Sequence, residues 1–543
     1  MEASLEVSES EEAATGTVDT RNFSESILFV EYEQAIALIQ SIIDESSDVP
    51  TKNTSLSTLR DIFDKYLECP SLLDHHLGSM VDLLSQSALE HLPMVATTQD
   101  FSVSTLPYVL SALYALSKVR GRKRIQKLLP HEVRVVEIVL KALLFLDKDD
   151  ELNAVIQPGR TLGGWDSVGP PQWESVYTLW NWVGILSLVP FDSSIVAETT
   201  LISTLIELGK SHLSQTGPSR EVAASSLASW LSRPDMEDKQ LKEFIEWTKT
   251  VLNQYAKRPT DQATIFRTMG VLQTMVTILK VSTAERSSLV DLVTPFLWDI
   301  TIQISESCPS NVLLRKLLLK WWTRLSCAFL PPRIAPWRYQ RGSRTLKDNL
   351  SRAAEKLKAD SDPCYLPVSL DGNTEEHKGG DIFFVPDQVE DSMGQVISGL
   401  SDPSTIVRWS AAKGVGRITE RLPAICGEDV LDAVLELFED VEKDHAWQGA
   451  CLALAELTRR GLLLPHRLND VMPRLCRAVH VSTKSFLRAR SVIFLQNNSS
   501  VRHPFLLCQS TMYPAVKQVS ACMFETLPAI HTGHYLELIP LLF

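Results

Sequence analysis

Pairs of amphipathic helices recurring every 37–39 residues constrain this chain more than any other feature of it. Met393, Val396, Ile397 and Leu400 stand at i, i+3, i+4 and i+7, one face of an α-helix. Leu431, Val434, Leu435 and Phe438 repeat that spacing 38 residues later, and Leu468, Val471, Met472 and Leu475 repeat it 37 residues after that. A second helix type lies between them. Arg408 is followed by Ala411, Ala412, Val415 and Ile418; Trp447 is followed at the same offsets by Ala450, Cys451, Leu454 and Leu457, 39 residues on. The small pair in each, Ala-Ala or Ala-Cys, lets this helix approach its neighbours closely. A period near 40 with two helices per unit predicts an all-α chain, a HEAT/armadillo-type α-solenoid in which each helix pair buries its apolar face on the next. An irregular helical domain with chance similarity is the alternative, and five helices in register argue against it.

The same template reaches back toward the N-terminus. Arg220, Ala223, Ala224, Leu227 and Trp230 reproduce the offsets of Arg408, and Arg267 with Gly270 and Val271 matches more weakly. Leu56, Leu59, Ile62, Phe63 and Tyr66 fall on one helical face, as do Val133, Val136, Leu140, Leu143 and Leu144, and Leu201, Leu205 and Leu208. Prolines 70, 130, 190, 234, 403, 423 and 465 stand between the helical runs, where they end one helix or open the next. The expected organisation is therefore a degenerate array over 27–350, an acidic loop or linker over 351–391, and regular repeats over 392–478. Residues 1–26, with seven acidic side chains and one Arg, are expected to be a disordered leader. No small pair occurs where the unit opening at Leu468 requires its second helix, so 479–543 are expected to be an atypical tail.

Charge and cysteine usage narrow the function classes. The net charge of −13 disfavours a nucleic-acid binder, which must offset phosphate. The apolar stretch Val176–Phe191 is interrupted by Asn181, ended by Pro190 and too short for a bilayer span. Nine scattered cysteines without a CxxC pair predict reduced, mostly buried thiols.

No enzyme motif stands up. His131-Glu132 lacks the second His of a zinc-protease helix, and His75 and His76, being adjacent, would point apart on a helix. Gly159 and Gly164 have phosphate-loop spacing, but Trp165 and Asp166 stand where Lys and Ser/Thr are needed. Gly414-Val415-Gly416 lacks the third glycine of a dinucleotide fingerprint. The chain is expected to be no enzyme and to hold no metal or cofactor. Its candidate contact residues are Arg120, Arg122, Lys123 and Arg124, in a basic run on an acidic protein, and Arg338, Tyr339 and Arg341, after a proline-rich turn. Electrostatic steering favours the first set, and the Arg–aromatic combination typical of interface hot spots favours the second.

Several long segments carry a family resemblance. They are DKYLECPSLLDHHLGSMVDLL (64–84), LYALSKVRGRKRIQKLLPHEV (113–133), YTLWNWVGILSLVPFD (177–192), SRPDM (232–236), WRYQRGSRTL (337–346), VRWSAAKGVGRITERLP (407–423) and AWQGACLALAELTRRGLLLPHRL (446–468). In this order they resemble the tubulin-folding cofactor D family (tubulin-specific chaperone D), over about residues 55–478. The resemblance implies a non-enzymatic scaffold of HEAT/armadillo repeats that takes part in tubulin heterodimer assembly. Its implied partners are β-tubulin, the αβ-tubulin heterodimer, cofactors C and E and an Arf-like small GTPase, and it promotes tubulin GTP hydrolysis only within a multi-cofactor complex. The cytoplasm, microtubules included, is the implied location. The match ends near Ala478, before the family's large C-terminal half, so this chain is expected to bind only part of the partner set. A generic HEAT-repeat adaptor or transport scaffold for other cargo is the competing expectation.

Overall fold

The computed structural model describes residues 29–98, 105–156, 169–281, 287–331, 385–439 and 444–478, apart from 260, 308, 464 and 476. The expected leader, most of the expected linker and the tail lie outside these residues, as do Arg338, Tyr339 and Arg341. The chain forms two compact units, Met1–Val281 and Ser282–Phe543. Every regular element among the described residues is helical.

In the first unit, α1 (Tyr32–Ile43) pairs with α2 (Val49–Asp64), and α3 (Asp74–Thr98) with α4 (Leu106–Arg120). A short helix, α5 (Arg122–Leu128), precedes the pair α6 (Val133–Ile156) and α7 (Gln172–Leu186). A single turn, α8 (Ser193–Val196), precedes the pair α9 (Thr199–His212) and α10 (Pro218–Leu231), and α11 (Lys242–Lys257) pairs with α12 (Gln262–Val281). Packing between pairs sorts these helices into two layers. The first helices touch in the order α1, α3, α6, α9; the second helices touch in the order α2, α4, α7, α10, α12. This is the nearest-neighbour stacking of an armadillo or HEAT array, and it puts Arg220 and Arg267 on adjacent second-layer helices, as their shared register requires.

Local signals set the helix starts. Asp48 accepts from the Thr51 amide ahead of α2, and Pro50, Pro107 and Pro218 occupy first-turn positions where a missing N–H costs nothing. Helix α7 is buried along nearly its whole length, which explains the apolar stretch seen in the sequence. Three of its polar side chains bond neighbouring helices and turns. Thr178 Oγ1 donates to the Leu110 carbonyl at 2.9 Å, Trp180 Nε1 to His212 Nδ1 at 2.7 Å, and Trp182 Nε1 to the Pro130 carbonyl at 2.7 Å. One expected core position moves: Val133 is exposed, because α6 begins there and its buried face runs through Val136, Val139, Leu140 and Leu143.

The second unit follows the same plan. It contains α13 (Ser287–Glu306), α14 (Val312–Phe329), α15 (Asp387–Ser398), α16 (Thr405–Thr419), α17 (Ala424–Glu436), α18 (Asp444–Arg459) and a helix over 468–475, α19. Pairs form between α13 and α14, α15 and α16, and α17 and α18, while α14, α16 and α18 stack in sequence as the second layer. Helix α15 opens at Asp387, inside the stretch read as linker, because extended Pro386 caps it and the acidic residues Asp387 and Glu390 suit a helix N-terminus. The repeat positions read from sequence are core: Val396, Leu400, Ala411, Val415, Ile418, Val434, Ala450, Cys451, Leu454, Val471 and Leu475 are all buried.

Burial also sets thiol reactivity. It pushes the Cys451 thiol up to about 12. It raises Cys327 too, although Arg421, Arg324, Arg417 and Arg460 all pull the other way, so desolvation outweighs four cations. Iodoacetamide is expected to label exposed Cys69 in the native protein and to reach Cys327 and Cys451 only in denaturant. Peptide mapping of the alkylated sites checks this, and native labelling of Cys451 would contradict the packing of α18.

Candidate functional site

The basic run singled out in the sequence is divided by Gly121, whose φ of 95° breaks the chain between α4 and α5. Its charges have different fates. Arg120 forms a two-pronged pair with Asp74, Nη2 to Oδ2 at 2.7 Å, and Arg124 reaches the same carboxylate at 3.3 Å. Lys118 pairs with Asp64 at 2.8 Å. Arg122 donates to Ser225 Oγ at 3.1 Å, and burial lowers its pKa. Arg120 and Arg122 thus tie α4 and α5 to α3 and α10. Lys123 and Lys127 are exposed and have no ion-pair partner among the described residues, so the outward charge of this corner rests on them and on half-exposed Arg124.

The Arg120 guanidinium beside Asp74 holds its carboxyl below the ordinary value of 3.8. The stability contributed by this pair is fully present above that value and is lost as pH falls through the depressed folded value. Asp74→Asn is therefore expected to flatten the acid limb of the stability curve below about pH 4, read as denaturation midpoint against pH.

A second feature links two segments that sequence reading treated separately. After α7 the chain turns through Leu188, Pro190 and Phe191, and the Arg233 guanidinium gathers this turn. Nη1 donates to the carbonyls of Ser187 at 2.7 Å and Val189 at 2.9 Å, and Nη2 to that of Phe191 at 2.5 Å. Asp235 holds Arg233 at 3.0 Å and also accepts from the Ser193 amide at 2.7 Å. The clamp keeps a turn in place whose apolar side chains face outward: Leu188 is 70% exposed, Phe191 51% and Ile195 75%. Five hydrogen bonds thus hold this apolar group in the open.

A third feature escaped sequence reading. Helices α14 and α16, adjacent in the second layer, contain no Asp or Glu at all. Their residues align at a constant offset: Leu313 with Ile406, Arg315 with Arg408, Lys320 with Lys413, Arg324 with Arg417. Arg315 and Arg408 are structural. Arg315 bonds Asp402 at 2.7 Å and the Pro309 carbonyl at 2.8 Å; Arg408 bonds the Pro403 carbonyl at 2.8 Å and Gln448 on α18. Lys320, Arg324, Lys413 and Arg417 are half-buried, and Arg417 stands in the last turn of its helix, where the dipole favours a cation. The Gly414-Val415-Gly416 segment belongs to this arrangement. A Cβ at Gly414 would lie 2.5 Å from Thr323 Oγ1 of α14, and one at Gly416 would lie 3.0 Å from Arg460 Nε, so both glycines serve close packing. The signal that would have revealed this face was the absence of acidic residues over 312–329 and 405–419.

The remaining sequence candidates are ordinary side chains. His75 and His76 do not splay apart; their rings meet edge to face at 4.7 Å, and His76 stacks on Tyr32 at 3.8 Å. His131 Nδ1 lies 3.1 Å from the Leu129 carbonyl. Gly159, Gly164, Trp165 and Asp166 lie outside the described residues. Among the described residues no group of three or more His, Cys, Asp or Glu could hold a metal ion, and no helix is long and apolar enough to cross a membrane.

Stacked helix pairs with charged and apolar surface elements define an all-helical ARM/HEAT-like solenoid protein. Two family models match the chain: tubulin-specific chaperone D-like ARM repeat over residues 63–252, in the first unit, and tubulin-specific chaperone D-like ARM repeats over 313–491, in the second. Together they take in more than half of the sequence, and the chain belongs to the tubulin-specific chaperone D-like family. Tubulin-specific chaperone D of Dictyostelium discoideum is 26% identical over an alignment of 515 positions that covers 77% of this chain and 34% of that protein. Tubulin-folding cofactor D of Schizosaccharomyces pombe is 24% identical over 479 residues, 83% of this chain and 36% of that protein. The chain thus spans about a third of the length of these curated relatives. Among solved structures, Kap121p bound to Ste12p aligns over 94% of this chain and 57% of its own at 11% identity and a TM-score of 0.24, too low for the two courses to superpose.

Proposed function

We propose that the chain is a non-enzymatic scaffold in tubulin heterodimer assembly, holding β-tubulin and the αβ-heterodimer. The observation that carries this reading is the match of one family's repeats to both structural units in chain order. Physical features support it. Stacked helix pairs offer extended surface for a folded protein partner, and the clamped Leu188–Ile195 turn together with Lys123 and Lys127 offers apolar and basic contacts of the kind interfaces use. Cofactors C and E and an Arf-like GTPase complete the proposed partner set. GTP hydrolysis by tubulin is then a property of the assembled complex, and this chain contributes the platform. Its place of action is the cytoplasm, microtubules included.

Capture of purified tubulin by the immobilised chain tests the proposal. Retention of β-tubulin or heterodimer is expected, weakened by salt and by Lys123→Glu/Lys127→Glu without loss of helicity. Failure to retain either form of tubulin would overturn it.

A further inference from the structure

The second-layer face of the second unit combines a cation grid with an apolar end. On α16, Ile406 is 52% exposed and Trp409 follows it; Lys413 lies over the Trp409 ring at 5.2 Å, and Arg417 is one turn further on. On α14, Leu313 is 47% exposed and is followed on the same face by Lys316, Lys320 and Arg324. Along each helix the basic positions are about 6 Å apart, and packed helices are about 8–10 Å apart. The grid stops at α18, where Leu452 and Glu456 occupy the positions of Lys413 and Arg417. Trp409, Leu452, Ala455, Glu456 and Arg459 line a shallow cleft beside it.

Arg417 is the telling member. It is half-buried, and its guanidinium has no hydrogen-bond or ion-pair partner among the described residues, although its backbone carbonyl accepts from Cys327 Sγ. The nearby carboxylate of Glu456 is engaged by Arg459 at 2.7 Å and Arg460 at 3.6 Å. Burial first, then the like charge of Arg460, holds the Arg417 guanidinium below its ordinary value. A partly desolvated cation whose nearest carboxylate is shared with two other arginines is costly, and an incoming carboxylate would relieve that cost.

We propose that the second-layer face of α14 and α16 docks an acidic polypeptide segment, its carboxylates on Lys316, Lys413 and Arg417 and an apolar side chain on Trp409 and Ile406. Charge complementarity selects this occupant. A nucleic acid is the other polyanion to weigh. The face is only two helices wide, and the net charge of −13 would repel a strand extending beyond it. The exposed Ile406 and half-buried Trp409 also match the side chains of an amphipathic peptide better than a phosphate backbone. The inference is independent of which protein the scaffold handles.

Fluorescence anisotropy of the full chain with a labelled peptide of repeated Glu-Glu-Leu-Glu tests it. Binding is expected at low salt and should weaken as salt rises. Lys413→Glu/Arg417→Gln is expected to weaken it about ten-fold, a change of about 1.4 kcal/mol, while Lys257→Glu, on α11 of the first unit, leaves it unchanged. Circular dichroism checks that the double variant is folded; if it is not, Lys316→Gln/Lys413→Gln, which leaves Arg417 in place, carries the same expectation. Absence of peptide binding by the unaltered chain, equal binding by a folded variant, or displacement of the peptide by a thymidine oligonucleotide that binds more tightly would each overturn the proposal.

Discussion

Arg60→Ala is expected to destabilise the first unit by about 3–5 kcal/mol, the cost of leaving a buried charge without its partner. Arg60 on α2 pairs with Glu174 on α7, and Ser111 on α4 donates to the same carboxylate, so one polar knot crosses three successive second-layer helices. Glu174 is only 4% exposed, and burial pushes its carboxyl above the ordinary 4.5 against the pull of Ser111 and Arg60. A carboxyl with a raised folded-state value favours folding most below its unfolded value and loses that advantage as pH climbs through the folded one. The deficit of Arg60→Ala should therefore be smaller near pH 4 than near pH 8, because protonation spares the orphaned charge. Arg60→Met/Glu174→Leu removes both charges and is expected to recover most of the loss. Urea denaturation of the single and double variants at both pH values supplies the comparison, and a cost within about 1 kcal/mol for Arg60→Ala would show that the knot is not stabilising.

Gly449→Val is expected to cost about 3 kcal/mol or more in the second unit. Even a Cβ at this position would lie 1.9 Å from the Leu400 carbonyl oxygen. That atom belongs to the backbone of the turn following α15, so no rotamer change relieves the clash. Helix α18 must move away from its neighbours, and the packing of Ala450 and Cys451 goes with it. Thermal unfolding followed by helical signal is the readout, and a midpoint unchanged from the parent would mean that α18 does not approach that turn. Gly394→Ala, with open space at its Cβ, is the matched control and is expected to be close to neutral.

Both sites illustrate what could and could not be read in advance. The register of Arg220, Arg267 and Arg408 was visible in sequence, because a fixed offset from a small-residue pair survives translation along the chain. The partners of those arginines were not visible. Arg408 reaches Gln448 and Arg315 reaches Asp402, contacts that depend on how one repeat is rotated on the next. The basic run at 118–124 was found for its charge density, yet Arg120 and Arg122 turned out to bond Asp74 and Ser225, residues distant in sequence. The acid-free faces of α14 and α16 were missed for the converse reason. Their cations are diluted at every fourth position and become a patch only when two helices stack.

Helix content, the two-helix unit and the family were determined by the sequence alone, since the spacing of apolar residues sets which face each helix buries, and that information is local. Which charges point outward and which are consumed between repeats was decided only in the tertiary structure. A side chain's environment comes from helices dozens of residues away, and their relative placement is fixed by packing, close enough in places that a single methyl group would not fit.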